Sequence, residues 1–267
     1  MVIVRILGGL GNQMFQYAYA KALEMKGFDV KLDITGFKKY KLHGGYQLDK
    51  YHINLESAKK SSVLFSKINP FKTLKEEDLL YNNKLLSLKG SEYVKGYFQT
   101  EKYFSEIRST LLQQFIVNRE TANSTKQYKK EIIQAANSCS VHIRRGDYVS
   151  NSKSNTIHGT CSLDYYKEGI KIIEEKYKNV AFFVFSDDIP WTKENLILKN
   201  AIYIDHKCLP HEDIYLMSLC KNNITANSSF SWWGAWLNTN EDKTVISPKQ
   251  WFVDKKNEIA CLNWIKI

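Results

Sequence analysis

The chain has 267 residues, of which 43% are hydrophobic and 25% charged, with 13 glycines and 4 prolines. This balance is typical of a folded globular protein, and it excludes a disordered, collagen-like or low-complexity chain. Lysine and arginine number 38 against 28 acidic residues, and the net charge of +10 indicates an anionic partner: nucleic acid, anionic lipid or a phosphorylated small molecule.

The first half of the chain opens with the pattern of a strand, a glycine turn, a helix and a second strand, which is how a βαβ unit begins. Residues 35–95 have weak periodicity and predict no clear element. Strands are predicted at 2–7 and 28–34, and helices at 14–26 and 101–115.

The second half shows short, continuously apolar strands that alternate with helices, a pattern typical of a parallel sheet. Strands are predicted at 140–143, 180–185, 201–204, 224–226 and 245–246, and helices at 162–177, at 211–220 and from 229 onwards. Three tryptophans in the last helix are expected to pack mainly in the core. The fold class is therefore α/β.

A polar stretch at 118–131 is the best candidate for a domain boundary. It predicts two α/β domains, residues 1–125 and residues 126–267. The positive charge is uneven between them: the first carries 19 basic and 12 acidic residues, and the second 19 and 16.

Three polar clusters each follow a predicted strand of the second half. They are Arg144–Arg145, Ser186–Asp188 and Asn227–Ser229. Because the carboxyl ends of parallel strands share one edge of a sheet, where α/β proteins bind ligands, the three clusters should converge.

The chemistry of these clusters suits a guanine nucleotide diphosphate. An arginine pair grips phosphate, and the helix that Ser228 and Ser229 open favours an anion at its N-terminus. Asp187 is able to accept two hydrogen bonds from the edge of a guanine. Taken singly, each cluster also fits an ordinary surface turn or helix cap, and it is their convergence that favours a site.

The glycine turn at 8–11 lacks the GxGxxG spacing, and no Gly-Lys-Ser/Thr follows, so a Rossmann NAD site or a P-loop is disfavoured. Gly11, Asn12 and Gln13 are candidate contacts for sugar hydroxyls. A tight strand-to-helix turn without a binding role remains an equal alternative.

The five cysteines are odd in number and form no CxxC pair, which argues against a disulfide framework and a zinc site. His206 and His211 are not spaced as a metal pair, so we expect no metal and no cofactor. The start of the chain shows no signal-peptide pattern, and no stretch of about 18 apolar residues is present. A cytoplasmic location is expected.

Several of these segments resemble motifs of a known family. Residues 142–148 resemble the HxRRxD motif of α-1,2- and α-1,6-fucosyltransferases, and residues 185–188 and 227–237 are similar to the second and third motifs of the α-1,2 family. Residues 8–17 and 96–104 match that family too. The resemblance is to the bacterial α-1,2-fucosyltransferases of glycosyltransferase family 11, and it spans nearly the whole chain.

The resemblance implies a GT-B-like fold, in which two Rossmann-type domains with parallel sheets face a cleft. It implies that residues 1–125 serve the acceptor and residues 126–267 bind the donor, GDP-fucose, with no required metal. The implied reaction is inverting transfer of L-fucose to the 2-hydroxyl of a terminal β-galactoside, on an oligosaccharide or glycolipid of an O-antigen-type bacterial surface glycan.

The resemblance also implies roles for individual residues. Arg144 is the expected catalytic residue, gripping the β-phosphate, while Arg145 and Asp147 are expected to brace the loop as an ion pair. No general base is chosen among Asn12, Asp33 and Asp147. The donor-binding residues implied are His142, Arg144, Ser186, Asp187, Asn227, Ser228, Ser229 and Phe230, with His142 and Asp187 on the nucleoside.

Two alternatives remain at this point. One is a fucosyltransferase of another linkage, α-1,6 or protein O-linked. The other is a nucleic-acid-binding protein, which is disfavoured because all six tryptophans lie in the less basic half and no binding motif is present. The lysine surplus of the first half leaves open whether the protein contacts anionic membrane at its inner face or is only kept soluble.

Overall fold

The structure is a computed structural model, and it describes residues 1–39, 44–68, 73–118, 122–145, 159–204 and 209–267. By their internal contacts the residues divide into two compact units. The first unit comprises Met1–Arg119 with Lys256–Ile259, and the second comprises Glu120–Lys255 with Ala260–Ile267. The division therefore falls a few residues before the boundary expected after residue 125.

The first unit contains a sheet of four parallel strands in the order β2-β1-β4-β3. These strands are β1 (Val2–Arg5), β2 (Val30–Asp33), β3 (Thr73–Lys75) and β4 (Tyr93–Lys95). Its α-helices are α1 (Leu10–Met25), α2 (Lys60–Ile68) and α3 (Arg108–Gln114). Short 3-10 turns lie at Thr35–Lys38, Leu48–Lys50, Asn83–Leu86, Glu101–Tyr103 and Ser105–Ile107.

Helix α1 begins at Leu10, four residues before the start that the sequence predicts. The turn that precedes it is completed at Gly8, whose φ of 81° lies in the left-handed region that favours glycine. Gly11, Asn12 and Gln13 consequently lie in the first turn of the helix and not in a loop.

The helix predicted at 101–115 is broken in the structure. Two 3-10 turns occupy its first half, and only α3 is α-helical. Phe104, between those turns, has a φ of −147°, which no α-helix accepts. Tyr103 and Phe104 are both buried. Aromatic packing has therefore overridden the helical periodicity of this segment.

The second unit contains a sheet of six parallel strands in the order β10-β9-β8-β5-β6-β7. They are β5 (Asn137–Ile143), β6 (Val180–Ser186), β7 (Ala201–Tyr203), β8 (Asn222–Ile224), β9 (Val245–Ser247) and β10 (Ile265–Lys266). Its helices are α4 (Asn123–Gln134), α5 (Leu163–Lys176), α6 (Ile189–Asn195), α7 (Pro210–Leu219) and α8 (Ser229–Leu237). The predicted α/β class with parallel sheets is confirmed.

The aromatic helix α8 belongs to the core of the second unit. Trp232, Trp233 and Trp236 are all buried, and the rings of Trp232 and Trp236 stack with centroids 5.9 Å apart. This confirms that the tryptophans of α8 pack in the core. Trp264, near the end of the chain, packs against Trp232 with ring centroids 5.7 Å apart.

The last part of the chain contributes to both units in turn. Glu258 belongs to the first unit, where its carboxylate accepts a hydrogen bond from Tyr81 N at 2.9 Å and pairs with Lys102 Nζ at 2.9 Å. The chain then returns to the second unit, where β10 pairs with β9 at the edge of the sheet.

Candidate active site

The three polar clusters follow three strands that are neighbours in the second sheet. β8, β5 and β6 lie side by side, and in the register of β5 and β6 Ile143 is opposite Ser186. The residues that follow, Arg144 and Asp187, are therefore opposite each other too. The structure brings the clusters to one edge, as the order of parallel strands predicts.

Arg144 and Asp187 form a close ion pair at this edge. Arg144 Nη1 lies 2.7 Å from Asp187 Oδ2, and the backbone N–H of Arg145 donates to Asp187 Oδ1 at 2.9 Å. About a quarter of each of the two paired side chains is exposed, so solvent screens the pair only in part. In the structure the carboxylate of Asp187 thus orients the Arg144 guanidinium and fixes the turn after β5.

Arg145 is held by different partners. Its guanidinium lies over the ring of Trp191 at 3.4 Å from the centroid, and its Nε is 3.6 Å from Asp188 Oδ2. Asp147, the partner expected from the sequence, lies outside the described residues. The described carboxylate that braces Arg145 is Asp188, which also caps α6 by accepting a hydrogen bond from Trp191 N at 3.2 Å.

His142 lies at the end of β5 and is buried, with its ring centroid 5.6 Å from that of Phe230. Burial lowers the pKa of its imidazole to about 4, because desolvation outweighs the attraction of Asp187. The ring is therefore neutral at pH 7. Its Nδ1 is a buried polar atom for which the described part of the chain offers no hydrogen-bond partner. A buried nitrogen of this kind has the capacity for one further hydrogen bond.

Other residues that were predicted to bind the donor substrate stabilise the turns at this edge of the second sheet. Ser228 caps α8, its Oγ accepting a hydrogen bond from Phe230 N at 3.3 Å. The buried amide of Asn227 donates to Gly159 O at 3.2 Å, and Ser186 Oγ accepts a hydrogen bond from Asp188 N at 3.0 Å. Ser229 and Phe230 are half-buried in the first turn of α8.

The amide of Gln13, in the first unit, is fully buried and makes three hydrogen bonds. It donates to Gly8 O at 2.9 Å and to Gly45 O at 2.8 Å, and it accepts from Gln47 N at 3.0 Å. This side chain therefore holds two loops together, and it does not present its amide to a sugar. The expectation that Gln13 contacts sugar hydroxyls is corrected on this ground.

Gln16 plays a similar part and was missed by sequence reasoning. It is fully buried, accepts a hydrogen bond from Leu7 N at 2.9 Å and donates to Gly96 O at 3.0 Å. Polar residues one turn apart on an otherwise apolar helix were the available signal. The two glutamines join the loops after β1 and β4 to α1.

Among the three candidates Gly11, Asn12 and Gln13, Asn12 is the one whose side chain is partly exposed. Its Oδ1 accepts a hydrogen bond from Gln99 Nε2 at 2.7 Å. Gly11 is buried within α1 and has no side chain to offer. Asn12 and Gln99 are therefore joined to each other and are both partly exposed at this edge.

Glu76, which follows β3, is a second residue that sequence reasoning missed. Its carboxylate accepts hydrogen bonds from Tyr97 N at 2.6 Å and from Phe98 N at 3.0 Å. Phe98 has a φ of 53°, so Glu76 stabilises a strained loop next to Gln99. A Cβ on Gly96 would lie 2.7 Å from Glu76 Cβ, which is why glycine stands there. Burial raises the pKa of Glu76.

Asp33, one of the residues considered as a base, is buried at the end of β2. Its Oδ1 accepts hydrogen bonds from the backbone N of Thr35 at 2.9 Å and from its hydroxyl at 2.6 Å. Its Oδ2 accepts a hydrogen bond from the hydroxyl of Tyr93, and burial together with this bond raises the pKa of Tyr93. Asp33 is thus engaged on both oxygens.

Three further observations concern metals, thiols and membranes. The described residues contain no group of three His, Cys, Asp or Glu side chains able to hold a metal ion. Four cysteines within the described ranges are free thiols, and Cys208, like His206, lies outside them. Among the helices that the structure describes, none is long and apolar enough to cross a bilayer.

The chain belongs to glycosyl transferase family 11, because the sequence profile of that family matches residues 1–267.

Two relatives and one solved structure make the kinship more specific. The chain is 42% identical to an α-1,2-colitosyltransferase of Escherichia coli over 94% of its own length and 92% of the relative's. It is 34% identical to the O-antigen biosynthesis glycosyltransferase WbnK of Escherichia coli, over 97% and 98% of the two chains. The α-1,6-fucosyltransferase NodZ, solved after soaking with GDP-fucose, superposes with a TM-score of 0.53 at 12% identity, covering 88% of this chain and 91% of NodZ. This likeness concerns the fold, which is GT-B-like.

Proposed function

We propose that this family 11 glycosyltransferase transfers L-fucose from GDP-fucose to the 2-hydroxyl of a terminal β-galactoside on an O-antigen-type surface glycan, with inversion. The observation that carries the proposal is the Arg144 guanidinium, held by Asp187 at 2.7 Å at the end of β5, the strand next to the β8 strand that leads into α8. The α-1,2 linkage and the O-antigen glycan are supported by the names of the two Escherichia coli relatives.

In the proposed step, the oxygen of the acceptor hydroxyl forms a bond to C1 of the sugar while the bond from C1 to the β-phosphate oxygen breaks. GDP leaves with the bonding electrons, and the proton of the acceptor hydroxyl passes to solvent water. Negative charge grows on the leaving oxygen. A guanidinium that Asp187 already holds in place stabilises this charge more in the transition state than in the ground state.

In this proposal, His142 binds the nucleoside of the donor. Its imidazole is neutral at pH 7, and its buried Nδ1 lacks a hydrogen-bond partner among the described residues. A hydroxyl or base edge of the nucleoside would supply that partner. The N-terminus of α8, with Ser229 and Phe230 in its first turn, would add backbone N–H groups for the diphosphate.

A second donor has a specific observation in its favour, the 42% identity to an α-1,2-colitosyltransferase. Colitose is L-fucose without its 3-hydroxyl, so GDP-fucose and GDP-colitose share the part that Arg144 and His142 would bind. Groups that contact the 3-position of the sugar must therefore decide between the two donors.

The proposal is tested by a matrix of donors against acceptors. GDP-fucose, GDP-colitose, GDP-mannose and UDP-galactose are each offered with lactose and a set of β-galactosides, and the linkage of each product is assigned by NMR. Transfer of fucose to O2 of galactose is the expected result. A preference for GDP-colitose selects the second donor, whereas turnover of UDP-galactose or an α-1,6 product rejects the proposal.

Two neighbouring carboxylates offer a matched pair for the donor site. Asp187→Asn removes the charge that orients Arg144 and should weaken GDP binding at least tenfold, measured by calorimetry. Asp188→Asn keeps the cap of α6, since asparagine caps as well as aspartate, and should leave GDP affinity within about threefold. Equal affinities of the two variants would reject the role of Asp187.

A further inference from the structure

Helix α2 of the first unit presents most of its large apolar side chains to solvent. It carries Val63, Leu64, Phe65 and Ile68, of which only Val63, the smallest, is buried. Leu64 is 62% exposed, and Phe65 and Ile68 are each 71% exposed. Folding of the first unit therefore does not account for these three side chains, which we name the α2 ridge.

The three side chains form one continuous surface. Leu64 and Ile68 are four residues apart and Phe65 and Ile68 three, so all of them lie on one side of the helix. Val63 points away from this side and packs in a buried cluster with Ile3 and Tyr93. Val63 thus packs α2 against the sheet, and the ridge lies on the other side of the helix, where its side chains are exposed.

Exposed lysines lie beside the N-terminal end of the ridge. Lys59 and Lys60 stand exposed at the start of α2, and Lys38 and Lys39 are exposed at the nearby 3-10 turn. The Lys60 ammonium lies close to that of Lys38, and its proximity lowers the pKa of Lys38. Residues 57–75 contain five lysines and no acidic residue. Two crowded cations next to an apolar surface are relieved by an anion placed between them.

We propose that the α2 ridge is a docking surface for an anionic lipid bilayer. Leu64, Phe65 and Ile68 would enter the boundary between headgroups and acyl chains, while the flanking lysines contact lipid phosphates. An apolar face with a lysine rim is the pattern of helices that lie in a membrane interface.

A second copy of the chain suits this surface less well. A symmetric contact through the ridge would bring the lysine rims of two copies together, and like charges in contact are unfavourable. An anionic bilayer supplies both the apolar environment and the opposite charge. The charge of the rim therefore favours lipid over self-association.

The test is co-sedimentation with vesicles of phosphatidylcholine alone and of phosphatidylcholine with phosphatidylglycerol. The protein should pellet with the anionic vesicles, and binding should fall as salt screens the lysines. The triple variant Leu64→Ser, Phe65→Ser, Ile68→Ser should bind at least tenfold more weakly, and Lys59→Glu with Lys60→Glu should also lose binding. The double variant Ile197→Ser, Leu262→Ser removes apolar residues that are 89% and 83% exposed in the second unit, and it should bind like the parent.

The experiment separates this inference from the proposed function. The triple variant should keep the melting temperature and the transfer rate on a water-soluble acceptor, because the ridge is not part of the catalytic machinery described above. Parent protein that ignores anionic vesicles, or a triple variant that binds them equally, overturns the proposal. A parent that is dimeric by light scattering, with a monomeric triple variant and no lipid binding, would assign the ridge to self-association instead.

Discussion

Both sheets have a carboxyl edge from which loops lead to helices, but the polar side chains at the two edges differ. At the carboxyl edge of the first sheet, the buried amides of Gln13 and Gln16 hold the loops to α1 through neutral hydrogen bonds. At the carboxyl edge of the second sheet, Arg144 pairs with Asp187 and a buried nitrogen of His142 has no partner among the described residues.

This difference suggests a division between scaffold and chemistry. At the first edge, the amides of Gln13 and Gln16 and the carboxylates of Asp33 and Glu76 are all engaged with groups of the chain itself, and they hold the loops in place. Charges held in place before a reaction lower its barrier, because no reorganisation is needed as charge develops. Substitutions at the first edge should therefore act mainly on stability, and those at the second mainly on turnover.

The largest effect is expected from Arg144→Ala. Loss of the guanidinium should lower kcat/KM by about a thousandfold, or about 4 kcal/mol of transition-state stabilisation, while the melting temperature changes little. Arg144→Lys should also be severe, since a point charge does not replace a planar fork. Steady-state kinetics measure both, with Arg108→Ala on α3 as control. Activity within tenfold of the parent would show that Arg144 does not meet the leaving group.

The second prediction concerns His142 and acid. Its imidazole has a pKa of about 4 when folded and an ordinary value of 6.5, so the unfolded chain binds a proton that the folded chain excludes between these values. The free energy of unfolding should fall as pH decreases from about 6.5 to about 4, by on the order of 3 kcal/mol from this residue.

The corresponding experiment is urea unfolding at pH 7.5 and at pH 5. His142→Gln should flatten the dependence on pH, whereas His52→Gln, which alters an exposed histidine of the first unit, should retain it. If the free energy of unfolding of His142→Gln fell with decreasing pH as steeply as that of the parent, another group would be responsible for the loss of stability in acid.

A smaller loss is expected from Gln16→Leu at the first edge. This change leaves Leu7 N and Gly96 O without their partner in a buried place and should lower the free energy of unfolding by about 2 kcal/mol. Gln127→Leu on α4, where the glutamine is exposed, should cost less than about 0.5 kcal/mol. If Gln16→Leu left the free energy of unfolding unchanged but abolished transfer, the assignment of stability to the first edge and of turnover to the second would be wrong.

The smallest effect is expected from Trp191→Leu. This variant removes the ring beneath the Arg145 guanidinium and should cost about 1 kcal/mol of stability, with kcat/KM changed less than tenfold. Thermal unfolding and kinetics on the same preparation measure the two quantities. A loss of activity as large as that of Arg144→Ala would place Arg145 in contact with substrate.

The sequence predicted the second unit better than the first for a physical reason. Strands such as β5 and β6 are long, apolar and followed at once by charged residues, so both the strand and its edge are visible in the pattern. Strands β3 and β4 have only three residues each, which is too short for a clear pattern. Helix α2 exposes its larger apolar residues, so the spacing of apolar residues does not indicate its buried face.

Side-chain partners were less predictable than elements. Arg145 was expected to pair with Asp147, the nearest carboxylate along the chain, and that pair stays a prediction because Asp147 lies outside the described residues. Among the described residues, the register of β5 and β6 brings Asp188 beside Arg145. Gln13 was expected to meet sugar because nothing in a linear pattern shows that a polar side chain is buried. Both are consequences of tertiary packing.

The passage of residues 256–259 through the first unit has a consequence for how the protein is made. During synthesis, the partner of Tyr81 and Lys102 emerges only after nearly the whole second unit has been translated. The hydrogen bond and the ion pair that Glu258 makes in the first unit therefore form only late in synthesis, although most residues of that unit leave the ribosome early. Truncation after Lys255 would damage both units at once, removing Glu258 from one and β10 with Trp264 from the other.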